Sequence, residues 1–180
     1  RQLAEAARRY QCVCAFVLPC YLAGLKSRLA GTPEVGVGGV VGFPSGAHST
    51  ATKVFEARQQ VDEGATELDM VINIPWLKAG EDKLVAEDIS AVVAAAAGLP
   101  VKVILECHYL TDAEITRACG IAVACDVADV KTGTGWAETG ATLENTALIR
   151  KSVGDRCGVK AAGGVRDLET LLRMVDIGVT

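Results

Sequence analysis

Aromatic residues are scarce in this 180-residue chain, with Phe, Trp and Tyr together making up 4%. A surface that stacks nucleic-acid bases needs rings interleaved with basic residues. Neither that pattern nor a basic run is present, and the formal net charge is −4, so no nucleic-acid partner is expected. Histidine is nearly absent: His48 and His108 are the two imidazoles, too few for a histidine-rich metal site. The seven cysteines (Cys12, Cys14, Cys20, Cys107, Cys119, Cys125 and Cys157) are odd in number and contain no C-x-x-C pair. That spacing suggests neither a zinc ribbon nor a redox dithiol. It reads instead as small buried apolar side chains in a reducing, cytoplasmic compartment. No apolar run approaches the roughly 20 residues of a membrane span. Residue 1 already opens a charged, helix-like segment, so no signal peptide is expected.

What the chain does have is apolar mass, 50% of its residues, enough for a single domain over 1–180 with a sizeable core. Strand-like apolar runs at 12–18, 35–42, 67–74 and 101–106, and two more ending at Lys131 and Lys160, alternate with helical segments. The helices are expected at 3–10, 21–29, 52–63 and 83–97, then from a Thr111/Glu114 capping box to about 125, from Thr142 to about 153, and from Asp167 to about 177. Gly64, Gly98 and Gly178 follow three of them as terminators. Strand and helix thus alternate six times at a repeat of about 30 residues, which predicts right-handed βαβ units and a parallel sheet. An open doubly wound sheet and a closed eight-stranded barrel both fit. No strand-linked G-x-G-x-x-G with a following acid is present, and charged residues at several strand tips favour the TIM (β/α)8 barrel. The six βα units seen here are too few to close one.

Two strands end alike. Asp129-Val130-Lys131-Thr132-Gly133-Thr134-Gly135 and Val159-Lys160-Ala161-Ala162-Gly163-Gly164 each carry a lysine from an apolar strand into a glycine-rich turn. Burying an ammonium ion costs several kcal/mol. Two in one cavity raise each other's cost of protonation, so one amine is neutral near pH 7. A neutral lysine attacks carbonyls and forms a Schiff base. Strand alternation gives one face to Asp69, Val71 and Asn73, one to Lys102, Ile104 and Glu106, and one to Asp129 and Lys131. A barrel interior would then hold Asp69, Lys102, Lys131 and Lys160, either as a proton relay or as a buried ion-pair network that sets register. Lys102 and Glu106 are supporting candidates behind the other three. The glycines at 133, 135, 163 and 164 either offer backbone N–H groups to an anion, with Arg166 adding charge, or serve only as turn residues. His48 reads as a helix-start residue and His108 as a polar loop residue. Trp136 either packs over a ligand or covers the barrel end.

The order and spacing of five segments are similar to those of a known family. They are Val41-Gly42-Phe43-Pro44-Ser45-Gly46, Glu67-Leu68-Asp69-Met70-Val71-Ile72-Asn73-Ile74, Val101-Lys102-Val103-Ile104-Leu105-Glu106, Val130-Lys131-Thr132-Gly133-Thr134-Gly135 and Val159-Lys160-Ala161-Ala162-Gly163-Gly164-Val165-Arg166. Over nearly its whole length the chain resembles the deoxyribose-phosphate aldolases. The resemblance implies a class I aldolase on a (β/α)8 barrel, reversibly cleaving 2-deoxy-D-ribose 5-phosphate to D-glyceraldehyde 3-phosphate and acetaldehyde. It implies that Lys131 forms the Schiff base, Lys160 lowers the pKa of Lys131, and Asp69 is the acid of the proton relay. Gly135, Gly163, Gly164 and Arg166 fall where the family holds the phosphate. It implies no metal and no cofactor, and a homodimer. The chain departs from the family at Gly133, where a small hydroxyl residue is usual. The family's first strand, with its Asp-His-Thr type motif, is expected before Arg1 and its last after Thr180, so that strands two to seven are present. The isolated 180 residues are accordingly expected to be unstable or inactive. The alternatives are another phosphate-sugar barrel enzyme, such as an isomerase or a class I ketose-phosphate aldolase, and a non-catalytic sugar-phosphate-binding paralogue.

Overall fold

The computed structural model describes residues 1–180. Helix α1 (Gln2–Arg9) leads into β1 (Cys14–Phe16), α2 (Leu22–Leu29), β2 (Gly36–Val41), α3 (Thr50–Asp62) and β3 (Glu67–Val71). There follow α4 (Ile74–Ala79), α5 (Asp82–Ala95), β4 (Val101–Ile104), α6 (Asp112–Ala124), β5 (Asp129–Lys131), α7 (Leu143–Val153), β6 (Gly158–Lys160) and α8 (Leu168–Ile177). The six strands form one sheet in chain order, β1-β2-β3-β4-β5-β6, and every pairing is parallel. This is the alternating architecture that the sequence predicts. The strand count is six.

The register separates two faces. Met70, Val103, Val130 and Val159 are paired in turn across the sheet and each is fully buried; they belong to the apolar core formed with the helices. The opposite face carries Asp69 beside Lys102, Lys102 beside Asp129, and Lys131 beside Lys160. If the sheet were flat, strands about 4.8 Å apart would hold β1 and β6 about 24 Å from each other. Instead the amine of Lys160 on β6 lies 3.7 Å from the ring centroid of Phe16 on β1. The sheet is therefore curled, and its polar face is the concave one.

Local signals account for most boundaries. Thr111 and Glu114 form the capping box of α6, Asp167 accepts from Thr170 N–H to start α8, and Gly178 ends α8 at φ 97. Two expectations are corrected. The strand expected over 67–74 stops at Val71, because Asn73 accepts from Trp76 N–H and Pro75 sits in the first turn of α4; Pro fits there because it lacks a donor that the first turn leaves unused. The cysteines are not uniformly buried: Cys107 and Cys119 are, whereas Cys12 and Cys20 are exposed.

Candidate active site

Three short, apolar-flanked strands bring together the residues that the sequence singles out. Asp69 lies on β3 and is fully buried. Its Oδ2 accepts from Lys131 Nζ at 2.7 Å and from Lys160 Nζ at 2.8 Å. Its Oδ1 is buried without a partner, which is uncommon because an unsatisfied buried acceptor costs about 1–3 kcal/mol. The Lys131 side chain is 9% exposed and that of Lys160 25%. Burial pushes the Lys131 amine below its ordinary pKa; the Asp69 charge works against that and the Lys160 charge adds to it. Lys131 is thus poised between a carboxylate that favours its cation and surroundings that favour its free base.

Lys102 shares the concave face but not this carboxylate. It is ion-paired with Glu67 and stands 4.0 Å from Asp129. Burial lowers its pKa, opposed by Asp129. Glu106 does not continue the face of Lys102 and Ile104, because β4 ends at Ile104 and Glu106 turns to φ 55. Its buried carboxylate accepts from Thr134 N–H at 3.2 Å and from the Thr134 hydroxyl. A Cβ on residue 133 would lie 2.7 Å from Glu106 Oε1, the mobile end of that side chain, so Gly133 leaves the carboxylate room where it stands.

The two glycine-rich turns meet. Gly135 and Gly163 both adopt φ 81 and Gly164 φ 87, and a Cβ on Gly163 would stand 3.2 Å from Gly135 Cα. Ala141 N–H donates to Gly163 O at 2.7 Å. The amides of Gly135, Gly163 and Gly164 donate to no protein acceptor. Arg166 is exposed beyond them. His48 and His108 are both exposed, with His108 Nδ1 2.7 Å from Thr139 Oγ1. Trp136 packs edge-on against Phe43, 5.2 Å between centroids. Beside this pair, at the carboxyl ends of the strands, opens a cavity of about 410 Å³ lined by Pro44, Ile74, Glu106, Tyr109 and Trp136 among others.

Sequence reasoning missed Phe16, which faces three lysines, and the Glu67–Lys102–Asp129 group. The signal for Phe16 lay in Gly38, opposite it in register; a Cβ there would collide with the ring.

A partly desolvated amine beside a carboxylate can form and protonate an imine. Residues 1–179 match the model of the DeoC/LacD family of aldolases. A deoxyribose-phosphate aldolase of Klebsiella pneumoniae is 48% identical over 99% of this chain and 73% of its own length. That of Methanothermobacter thermautotrophicus is 49% identical over 98% of this chain and 79% of its own. The tetrameric deoxyribose phosphate aldolase of Aeropyrum pernix superposes at a TM-score of 0.87, with 29% identity over 99% of this chain and 75% of that one. The chain belongs to the DeoC/LacD family of aldolases.

Proposed function

We propose that this chain is a class I aldolase that reversibly cleaves 2-deoxy-D-ribose 5-phosphate to D-glyceraldehyde 3-phosphate and acetaldehyde. The observation that carries the reading is the single buried Asp69 oxygen shared by two lysine amines, 2.7 and 2.8 Å away. The names of its relatives support the substrate. Lys131, as the free amine, attacks the aldehyde of the open-chain sugar. The carbinolamine loses water and becomes an iminium. Asp69 takes the proton of the 3-hydroxyl through a water, for which its unpartnered Oδ1 is the available acceptor. The electrons of the bond between carbons 2 and 3 move into the iminium and leave an enamine on Lys131, while carbon 3 becomes the aldehyde of glyceraldehyde phosphate. Protonation of the enamine carbon and hydrolysis release acetaldehyde and restore the amine.

The unclaimed amides of Gly135, Gly163 and Gly164, with Arg166 nearby, form the phosphate cradle in this reading. Lys102 stays behind the reacting groups as part of the interior charge network. The curled six-stranded sheet is read as strands two to seven of a (β/α)8 barrel. No helix is long and apolar enough to cross a membrane; a cytoplasmic homo-oligomer, most simply a dimer, fits the reading.

Sodium borohydride added with acetaldehyde tests it. Mass mapping is expected to find the reduced adduct on Lys131 and none in Lys131→Gln. Phosphate binding without any adduct would make the protein a sugar-phosphate-binding module, and an adduct formed only with a ketose phosphate would make it a different aldolase.

A further inference from the structure

Asp69 does not distinguish Lys131 from Lys160, since the same oxygen accepts from both within 0.1 Å of the same distance. Hydrogen bonding therefore does not decide which amine is the cation. The ring of Phe16 does discriminate. Its centroid is 3.7 Å from Lys160 Nζ and 5.7 Å from Lys131 Nζ. The electron-rich face of an aromatic ring attracts an ammonium ion and is indifferent to a neutral amine, and the attraction fades towards about 6 Å. The ring is held in place by sequence, because Gly38 on the neighbouring strand has no side chain to contest the space. Lys160 is also the more exposed of the two, so water and ring act in the same direction.

We propose that Phe16 is a positioning residue that seats the shared proton on Lys160 and thereby leaves Lys131 as the free amine. The proposal rests on the Schiff-base reading above and deepens it. Few charged groups face the pair. β1 contributes Cys14, whose thiol burial pushes up to about 11, so it stays neutral. β2 presents Gly36, Gly38 and Val40 to this face and no charge. β3 supplies Glu67 and Asp69, β4 Lys102, and β5 Asp129. Glu67 is committed to Lys102. The Lys102 amine is 5.9 Å from the Phe16 centroid, no closer than Lys131, so it does not compete for the ring's face. Glu106, after β4, is held by Thr134, and its charge favours the Lys131 cation, the least of the influences on that amine. Asp129 is 4.0 Å from Lys102. Against the Glu106 charge, what favours the cation on Lys160 is therefore Phe16 together with solvent.

The test follows adduct formation at Lys131 with acetaldehyde and borohydride from about pH 5 to about pH 9, because the free amine alone attacks the aldehyde. Three replacements of Phe16 are compared: Phe16→Tyr keeps the ring face, Phe16→Leu keeps apolar bulk without it, and 3,4,5-trifluorophenylalanine keeps the shape while draining the face of electron density. The acid limb is expected to move to higher pH for the Leu and trifluoro proteins and to stay in place for Tyr. Near pH 6 the adduct rate should fall roughly two- to thirtyfold, with the alkaline plateau preserved. Superimposable profiles across the series would overturn the proposal, as would an equal loss at every pH, which is what mere packing produces. The trifluoro protein decides the matter even if the Leu variant does not fold. Absence of any Lys131 adduct in the unaltered protein would instead defeat the Schiff-base reading, and the two failures are distinguishable.

Discussion

Replacing Asp69 by Asn separates two tasks that the proposed mechanism gives to one carboxylate. Its charge favours the cationic form of Lys131, so removing it lowers the pKa of that amine further and leaves more free base at a given pH. Imine formation by Asp69→Asn is therefore expected to persist and to extend to lower pH than in the unaltered protein. Turnover of the sugar phosphate should nevertheless fall by about 10²- to 10⁴-fold, the usual loss when a general acid–base is removed. Stopped-flow imine formation measured beside steady-state cleavage checks both halves. A parallel loss of the two would mean that Asp69 matters to imine chemistry itself. At this scale Asp69, Lys131 and Lys160 were legible because a charge inside an apolar strand announces itself. Phe16 was not, since an aromatic residue in a strand reads as ordinary core. Glu106 was misread because alternation was carried past the end of β4, into a left-handed residue that no local pattern marks.

Between helices, the fully buried ion pair is that of Lys53 on α3 with Asp88 on α5, 2.6 Å long. Lys53 also donates to Val71 O at the end of β3 at 3.0 Å, and Thr50 donates to Asp88 Oδ1 at 2.8 Å. Two helices and β3, the strand of Asp69, are thus tied at one point. Lys53→Met strands a buried carboxylate and is expected to cost about 3–5 kcal/mol in urea unfolding. A further change of Asp88 to Leu should recover much of it, because an apolar pair of similar volume tolerates that site. If the single variant lost under 1 kcal/mol or so, the pair would not be the tie described. Helix starts were readable wherever a side chain does the capping, as at Thr111 and Asp167. The short helix α4 was hidden inside an apolar run, although Asn73 followed by Pro75 was the clue. Lys53 looked like one more surface cation of an amphipathic helix, and its partner lies 35 residues away.

For the molecule as a whole, buried titratable groups set the pH dependence of stability. Lys53, Lys102 and Lys131 have pKa values lowered from 10.5, each chiefly by burial. The unfolded chain binds their protons more readily, so stability rises with pH towards 10.5. Cys14, Cys107, Cys119 and Cys157 are raised above 9.0, again chiefly by burial. Their contribution is intact below pH 9.0 and declines above it, as the unfolded thiols ionise first. The urea midpoint of the reduced protein is therefore expected to climb up to about pH 9 and to turn over beyond it, four thiols then outweighing three amines. A midpoint that fell steadily from pH 7 would contradict this. The parallel sheet was legible from the six-fold alternation, and its curl from the charged strand tips that favour a barrel; the meeting of β1 with β6 was not, because it is a property of all five pairings together. That order of pairing has a consequence for synthesis. Each strand docks on the one made just before it, so the sheet is able to grow at the ribosome in the direction of translation, with Asp69 installed before either amine. Lys131, the proposed nucleophile, would then emerge into a pocket whose counter-ion is already waiting.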